Sequence, residues 1–379
     1  MNNTQPLDQA YIKQHNIESL LLTLERCQPV SRTELARLTE MSSASVTRFV
    51  SALSGLGLVK EVSLTDSAGR GRKAVNLEIA PNGMYTLGCH FDTHGMRMCL
   101  LDLSNHIRSV SEILLAPEDY RPERLAQLAR EQAACLVPED PSALRGMGIS
   151  VSGRIDQETG RVAASQAFGW RDVDLIAPFS DALGLPVMVE NDVRTCLTWE
   201  SMRLGLHHTG KDCAYLYLGR AGIGFACSVG GKLVRGINNS AGEIEEVCLG
   251  MDERLNEHLM EVSMVERARR FSSSVNSISD ILEAHRMGLT WARLLMEDFV
   301  SHLNTVLQLV QAILDPHYLI LGGDIPDALR DTPGLLPEGR YTFGDQFEDA
   351  CARGAAVMAM QNALHERIRA AMEAEENGE

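Results

Sequence analysis

The pattern of apolar positions over the first 80 residues predicts three short helices followed by a two-stranded hairpin. Apolar side chains recur at helical spacing over residues 15–26, over residues 35–38 and over residues 43–53. Residues 31–34 read Ser-Arg-Thr-Glu, the order of a capping box in which Ser31 and Glu34 each bond the other's backbone N–H. Only a tight turn separates the last two helices, so we predict a helix-turn-helix.

The third predicted helix, residues 43–53, carries the candidate DNA contacts. Its apolar face consists of Val46, Phe49, Val50 and Leu53. Its other face carries three hydroxyls and one long cation, namely Ser43, Ser45, Thr47 and Arg48. Such groups suit phosphates and the base edges of a major groove. The same pattern alone is typical of any amphipathic surface helix, and the helix-turn-helix context favours the DNA interpretation.

Alternating apolar residues predict two strands, over residues 58–64 and 74–79, around a turn-rich tip. Arg70, Arg72 and Lys73 lie at the base of this hairpin. They are typical either of a solvated loop or of a wing whose cations lie along phosphates or enter a minor groove. Because the hairpin follows a helix-turn-helix, we favour the interpretation as a wing.

The pattern changes after the turn formed by Pro81, Asn82 and Gly83, where buried strands begin to alternate with helices. Strands are predicted at residues 86–103 (two, around a polar turn at 92–95), 146–151, 186–189, 213–218, 224–229 and 318–321. Helices are predicted at residues 121–136, 192–202, 255–270 and 290–314, with a closing helix from 354. We therefore predict a DNA-binding domain at 1–80 and an α/β domain at 81–379 with a ligand cleft at its strand ends.

Charge is distributed unevenly between these two regions. The 379 residues are 45% hydrophobic and carry a net charge of −16, an unusual value for a DNA-binding protein. Residues 1–80 nevertheless hold nine Lys and Arg against eight Asp and Glu, so the acidic excess lies in the second region. Since the basic excess is small, we expect DNA binding to require a homodimer or homotetramer.

Localisation and cysteine usage narrow the class of protein further. No signal peptide and no apolar run long enough to span a membrane is present, which predicts a cytoplasmic protein without a membrane partner. The nine cysteines have no metal-ligand or redox spacing and are expected to be reduced core residues. The Glu-rich tail from about residue 372 is expected to fray.

Five motifs in fixed order resemble the ROK family of sugar kinases and transcriptional repressors. They are Gly-Ile-Ser-Val-Ser-Gly-Arg-Ile-Asp (148–156), Val-Glu-Asn-Asp (189–192), Ala-Gly-Ile-Gly (221–224), Gly-Lys-Leu-Val-Arg-Gly with Ala-Gly-Glu-Ile (231–236, 241–244) and Asp-Pro-His-Tyr-Leu-Ile-Leu-Gly-Gly (315–323). The resemblance implies an actin-like ATPase fold of two similar α/β lobes, here preceded by a winged helix-turn-helix. It also implies that Asn191, Asp192 and Glu243 bind sugar hydroxyls, for which several acceptors on one side are suited. The alternative for Asn191 and Asp192 is a turn and helix cap.

The first phosphate loop departs from the kinase pattern. Kinases of the family have Asp-x-Gly-Gly-Thr, whereas the matching positions here are His90, Asp92, Thr93 and His94. Backbone N–H groups surround a phosphate closely only where side chains are absent, and Asp92 would repel ATP. We therefore predict no kinase activity, no catalytic residue and no cofactor, with Asp192 a vestigial form of the kinase base.

The zinc motif of the family is also missing. Glu246 stands where the motif has a histidine, and Cys248 is the only cysteine among residues 247–255, so we predict no zinc there. When this segment is aligned with the family motif, Glu257 matches a sugar-binding glutamate of the family, or Glu261 does if the alignment slips. Carboxylates at 243, 246 and 257 would favour an unphosphorylated sugar or amino sugar over a phosphate.

These observations predict a sugar-responsive transcription factor, a repressor of genes for sugar uptake or metabolism, that binds double-stranded operator DNA. Arg48 is the residue most expected to carry that binding. The first alternative is an ATP-dependent sugar kinase with an attached winged helix. The second is a cleft that has lost its sugar and answers to a protein partner.

Overall fold

The structure, a computed structural model, describes residues 9–63, 75–136, 140–220, 222–245, 247–248 and 254–377, apart from residues 331, 333, 337 and 338. The cations predicted for the wing, Arg70, Arg72 and Lys73, lie outside these residues, as does Glu246.

The N-terminal module contains the predicted helix-turn-helix and both hairpin strands. Its helices are α1 (Gln9–Cys27), α2 (Arg32–Thr39) and α3 (Ser43–Gly55), and its strands are β1 (Val30–Ser31), β2 (Val59–Ser63) and β3 (Val75–Ile79). The strands form an antiparallel sheet in the order β1–β3–β2. The fold of this region therefore matches the winged helix-turn-helix that the apolar pattern predicts.

Helix capping in this module is partly as predicted. The Ser31 hydroxyl accepts a hydrogen bond from the Glu34 N–H at 3.2 Å, which caps α2. The predicted reciprocal hydrogen bond, from the Ser31 N–H to the Glu34 carboxylate, is not formed. The Glu34 carboxylate accepts from the Arg37 guanidinium at 2.6 Å instead. A charged partner one turn away offers the carboxylate a stronger hydrogen bond than a backbone N–H does.

The first lobe is built on a five-stranded sheet. Its elements in chain order are β4 (Tyr85–Phe91), β5 (Gly95–Asp102), β6 (Ile107–Leu114), α4 (Pro122–Leu136), β7 (Leu144–Val151), β8 (Arg154–Ile155), β9 (Val162–Ser165), β10 (Trp170–Val173), α5 (Ile176–Leu183) and β11 (Val187–Asn191). The sheet order is β11–β7–β4–β5–β6, while β8, β9 and β10 form a separate small antiparallel sheet. Helices α4 and α5 contact each other beside the large sheet.

The second lobe repeats this arrangement. The remaining elements in chain order are α6 (Asp192–Arg203), β12 (Cys213–Leu218), β13 (Ile223–Val229), β14 (Lys232–Leu233), α7 (Leu255–Leu259), α8 (Glu261–Arg269), α9 (Ile278–Arg286), α10 (Thr290–Leu314), β15 (Tyr318–Gly322), α11 (Asp324–Leu329), β16 (Tyr341–Phe343) and α12 (Phe347–Asn377), of which α12 packs against the sheet of the first lobe. The sheet order is β14–β13–β12–β15–β16. Each sheet has three parallel strands at one edge (β11, β7 and β4 in the first, β16, β15 and β12 in the second) and two antiparallel strands at the other, so the two α/β lobes share one topology.

The structure corrects two predicted helices. The single helix expected over residues 255–270 is two helices, broken at Met260, which has an extended backbone. There the N–H groups of Glu261 and Val262 donate to carbonyls of Gly219 and Arg220, and these tertiary bonds replace helical ones. No glycine or proline marks this break in the sequence, so the apolar periodicity alone does not reveal it.

The closing helix is also longer than predicted. It begins at Phe347 rather than at residue 354 and continues to Asn377, through the tail expected to fray. Burial explains the extension, because Ile368 and Met372 belong to the same apolar cluster as Phe49 and Leu53 of α3. The Arg367 guanidinium adds hydrogen bonds to the Leu56 carbonyl of the N-terminal module and to the Gly83 carbonyl just after it. The last turns of α12 thus complete the core behind the helix-turn-helix. None of the described helices, α12 included, is both long and apolar enough to cross a membrane.

Helix α12 also lies in backbone contact with the first sheet. A Cβ atom added at Gly148 of β7 would lie 2.0 Å from the Ala355 carbonyl oxygen, and one added at Gly88 of β4 would lie 1.9 Å from that of Ala352. Contacts this close leave no room for a side chain. They fix the position of α12 relative to the strands that lead to the cleft.

The substitution Gly148→Ala is therefore expected to lower the free energy of unfolding by about 1–3 kcal/mol, because the helix or strand must shift to admit a methyl group. Urea denaturation measures this change. Gly55→Ala is the matched control, since an added Cβ there has no atom within 4 Å. Equal stability of the two variants would contradict the proposed close packing.

Candidate functional site

The first candidate site is the exposed face of α3. Val46, Phe49, Val50 and Leu53 are buried, as the apolar spacing predicts. On the opposite face Ser43, Thr47 and Arg48 are exposed and Ser45 is half-buried. The structure therefore brings the four predicted residues to one side of the helix, and their contact with DNA stays a prediction.

Hydrogen bonds distinguish these side chains from one another. The Ser45 hydroxyl accepts from that of Ser42, the N-cap of α3, at 2.9 Å. The Thr47 hydroxyl donates to the Ser43 carbonyl at 2.8 Å. The Arg48 guanidinium lies 5.1 Å from the centroid of the Phe49 ring and is the long cationic group among the four side chains. Arg48 is consequently the side chain best placed to reach beyond the helix surface.

Two further exposed residues on this face, Ala44 and Ser51, were missed by the sequence analysis. They follow the same helical spacing as Thr47 and Arg48, which was the available signal. An alanine methyl suits contact with the thymine methyl group, and a serine hydroxyl suits a phosphate or base edge.

The second candidate site is a cavity of about 1110 Å³ at the strand ends, lined by both lobes. Of the five residues predicted to bind sugar, Asn191, Asp192 and Glu243 line it. Glu257 does not: it is exposed on the five-residue helix α7, outside the described lining. Its alternative, Glu261, is buried and accepts from the Ile278 N–H at 2.7 Å, so it caps α9. Neither carboxylate lies among the described lining residues, so the predicted match to a sugar-binding glutamate has no support from the cavity.

Asp192 is the central acidic group of this cavity. It begins α6 directly after β11 and is buried, with 8% of its surface exposed. Its Oδ1 accepts from the Val193 N–H and from the Asn191 amide, both at 2.9 Å. Burial raises the pKa of Asp192 to about 6, and the nearby charge of Glu243 contributes to the rise. Asp192 is thus a hydrogen-bond acceptor that titrates close to neutral pH.

Asn191 has a structural role alongside the predicted one. Its Oδ1 caps α6 by accepting from the Arg194 N–H at 3.3 Å, and its amide donates to the Gly153 carbonyl at 3.1 Å. The helix cap considered as an alternative is therefore present. Because Asn191 also lines the cavity, its contact with sugar stays a prediction.

A buried ionic network beneath the cavity was not predicted. Arg194 donates to the Asn239 side chain at 2.7 Å and lies 3.4 Å from the Glu190 carboxylate. Arg235 donates to the same Glu190 at 2.7 Å. Arg194 also binds the Ala241 carbonyl, at 3.2 Å, and so anchors the loop that carries Glu243. Arg235, Asn239 and Ala241 lie about 45 residues from their partners Glu190 and Arg194, a separation that no local pattern reports.

The turn between β4 and β5 occupies the position of the first phosphate loop. The Asp92 carboxylate accepts from the backbone N–H of His94 at 2.7 Å and of Gly95 at 2.9 Å. Two N–H groups of this turn therefore already bind an internal anion. His90 is buried and donates to the Ser150 carbonyl at 3.2 Å; burial lowers its pKa to about 4, so the ring is neutral.

The charge of the cavity is strongly negative. Seven of the described lining residues are carboxylates: Asp92, Glu112, Asp192, Glu243, Glu245, Asp324 and Glu348. Three are arginines: Arg97, Arg154 and Arg220. Burial, together with neighbouring acidic groups, raises the pKa of Glu348. Such a cavity disfavours anionic ligands and suits neutral or cationic ones that carry many hydrogen-bond donors.

Comparisons with known proteins match this architecture. The sequence model of the ROK family matches residues 87–333, well over half of the chain. A "Transcriptional regulator Rv0485" of Mycobacterium tuberculosis is 26% identical over 365 residues, covering 88% of this chain and 82% of that protein. The "Xylose repressor" of Bacillus subtilis is 26% identical over 240 residues, covering 62% and 61%. The crystal structure of a ROK family transcriptional regulator, a homologue of the Escherichia coli MLC protein, has a TM-score of 0.76 at 20% identity, covering 94% of this chain and 98% of that one, which shows a shared fold.

Proposed function

Since this chain belongs to the ROK family, we propose that it is a DNA-binding transcriptional regulator whose affinity for its operator is controlled by a sugar bound in the cavity. It acts in the cytoplasm, as a repressor of genes for sugar uptake or metabolism. The similarity to proteins named as transcriptional regulators and as a xylose repressor supports this proposal. The observation that carries it is the path of α12.

Helix α12 connects the two candidate sites directly. Its first two residues, Phe347 and Glu348, line the cavity. Its last turns pack behind α3, where the Arg367 guanidinium donates to the Leu56 carbonyl at 2.7 Å and to the Gly83 carbonyl at 3.1 Å. A helix of 31 residues is about 46 Å long, so one rigid element spans both sites. A sugar that prefers one arrangement of the lobes would thereby bias the position of α3.

The proposed unit on DNA is a homodimer, or a homotetramer built from it. Two-fold symmetry would place two α3 helices in successive major grooves of a palindromic operator. Arg70, Arg72 and Lys73 of the wing would bind phosphates, in line with their position after the helix-turn-helix. In this proposal residues 1–80 contact DNA, and residues 81–379 bind the sugar and form the oligomer, with α12 joining the two.

The proposed ligand is an unphosphorylated sugar or amino sugar. Asp192 and Glu243 line the cavity, and Glu245, which the sequence analysis did not single out, lines it too. Glu246 follows directly in the sequence and is retained in the proposed set, whereas Glu257 is not. The excess of carboxylates supports a ligand that donates hydrogen bonds and carries no phosphate.

A sugar kinase is the second candidate, and one observation favours it. A carboxylate with a pKa of about 6, such as Asp192, suits a general base near neutral pH. Phosphoryl transfer also requires the phosphates and Mg²⁺ to be held. Because Asp92 already binds the N–H groups of the phosphate loop, and carboxylates outnumber arginines in the cavity, we propose that the chain is not an enzyme.

Calorimetric titration with pentoses, hexoses, amino sugars and their phosphates tests this proposal, in parallel with a coupled assay of ATP turnover. We expect one class of unphosphorylated sugar to bind without ATP consumption. The sugar phosphates serve as matched ligands, because they differ only in the charged group. Sugar-dependent ATP turnover, or tighter binding of the phosphate than of the free sugar, would contradict the proposal.

A further inference from the structure

A cluster of metal-ligating side chains lies outside the cavity, where the N-terminal module meets the turn after α6. Glu25 is in the last turn of α1, and His207 and His208 end the short 3₁₀ helix Leu206–His208. Glu25 Oε1 lies 3.7 Å from His207 Nε2, and Glu25 Oε2 lies 3.9 Å from His208 Nε2. The two imidazole centroids are 3.7 Å apart. Three ligand-type groups therefore converge at distances too long for direct hydrogen bonds.

The histidines of this cluster have buried nitrogens without partners. Within the described part of the chain, both ring nitrogens of His207 and the Nδ1 of His208 are buried and lack a hydrogen bond. Buried polar atoms are nearly always paired, so three unpaired nitrogens in one place need a physical explanation. A cation bound between Glu25 and the histidines supplies one for Nε2 of His207, the unpaired nitrogen that faces Glu25.

We propose that Glu25, His207 and His208 bind a zinc ion that joins the N-terminal module to the lobes. Imidazole nitrogen and carboxylate oxygen are preferred zinc ligands, at about 2.0–2.2 Å from the metal. Ligand atoms in a tetrahedral site are then about 3.4 Å apart. The ligand atoms of the three side chains lie within 4.8 Å of one another, so rotation of the two imidazoles and movements of about 1 Å or less by each side chain close the site. Water takes the fourth position.

The surroundings favour a cation at this place. The ion pairs of Glu25 within the described residues are with these two histidines alone, so no lysine or arginine there neutralises the carboxylate. The Asn105 amide donates to Glu25 Oε1 at 2.7 Å and orients it, as outer partners of zinc ligands do.

A similar cluster, His258, Asp298 and His302, provides a useful contrast. There the Arg267 guanidinium lies 2.7 Å from the Asp298 carboxylate, so a side-chain cation already occupies the position that a metal would need. The proposal therefore assigns the ion to the Glu25 cluster and not to this one.

The test is titration of the metal-stripped, reduced full-length protein with Zn²⁺ against a chromophoric chelator. We expect one Zn²⁺ per chain, bound about 100-fold or more weakly by His207→Gln and by His208→Gln, since loss of a direct ligand should cost at least as much as loss of an outer partner. His302→Gln is the matched control and should bind like the parent. Co²⁺ should give d–d absorption without the charge-transfer band of thiolate ligands, which excludes Cys248 and the other cysteines.

Thermal unfolding distinguishes a lost ligand from a damaged fold. Without metal, the His207→Gln and His208→Gln variants should melt near the parent temperature, and Zn²⁺ should raise the melting temperature of the parent and of His302→Gln only. Should either variant fail to fold, Glu25→Gln takes its place. A parent that binds no Zn²⁺, or variants that bind it as the parent does, would overturn the proposal. The assay contains neither DNA nor sugar, so its result is independent of the proposed function.

Discussion

Replacing Arg48 with alanine is expected to cost operator binding about 1–3 kcal/mol per half-site, and about twice that for a symmetric dimer. Arg48 is exposed on α3, and its guanidinium lies over Phe49 rather than in a salt bridge within the described residues. Removing it deletes the long donor of the proposed DNA-contacting face, and on the buried face it takes away only the contact with the Phe49 ring. Fluorescence anisotropy with an operator duplex at fixed salt concentration measures the loss.

Sugar binding provides the internal check on this variant, because Arg48→Ala should leave it unchanged. Arg293→Ala is the matched control: it removes the same charge from an exposed position on α10. If Arg48→Ala and Arg293→Ala bound the operator equally well, α3 would not be the recognition helix.

Replacing Asp192 with asparagine is expected to stabilise the protein and to weaken its binding of the controlling sugar. Burial raises the pKa of Asp192 from 3.8 to about 6, so the folded state holds this proton more tightly than the unfolded chain does. At pH 7.5 the buried charge costs up to about 3 kcal/mol of stability, which a neutral amide avoids. Loss of the charged acceptor should weaken sugar binding by about 1.5–3 kcal/mol.

The sign of the pH dependence follows from the same shift. The contribution of Asp192 to stability is fully present below pH 3.8 and is lost as the pH rises through about 6. The stability of the parent minus that of Asp192→Asn should therefore fall between pH 4 and pH 7. Urea denaturation across this range measures the difference. Asp181→Asn, at an exposed position, is the matched control. A flat difference for Asp192→Asn would show that its charge is not desolvated.

The sequence predicts those elements whose interactions are local. The cap of α2 at Ser31, the buried face of α3 and the alternation of strands and helices all follow from spacing within a few residues. Elements fixed by distant contacts are less predictable. The break at Met260 depends on carbonyls of the turn after β12, and the full length of α12 depends on the N-terminal module against which Met372 packs.

The candidate sites show the same division. The position of Asp192 and Glu243 at the cavity was predictable because each lies in a short motif at a strand end or tight turn. The network of Glu190, Arg194 and Arg235 was not, since it forms only when β11, α6 and the loop before Ala241 meet. The convergence of Glu25 with His207 and His208 likewise joins segments about 180 residues apart. Sequence spacing carries no information about such pairs, whereas the fold brings them together.

Capture of fragmented genomic DNA by the purified protein, followed by sequencing, tests the central claim most directly. The proposal predicts that the parent enriches a few palindromic sites, that one unphosphorylated sugar from a panel abolishes this enrichment, and that Arg48→Ala fails to enrich them. The same sites captured equally by the parent and by Arg48→Ala, or no enriched site at all, would contradict it.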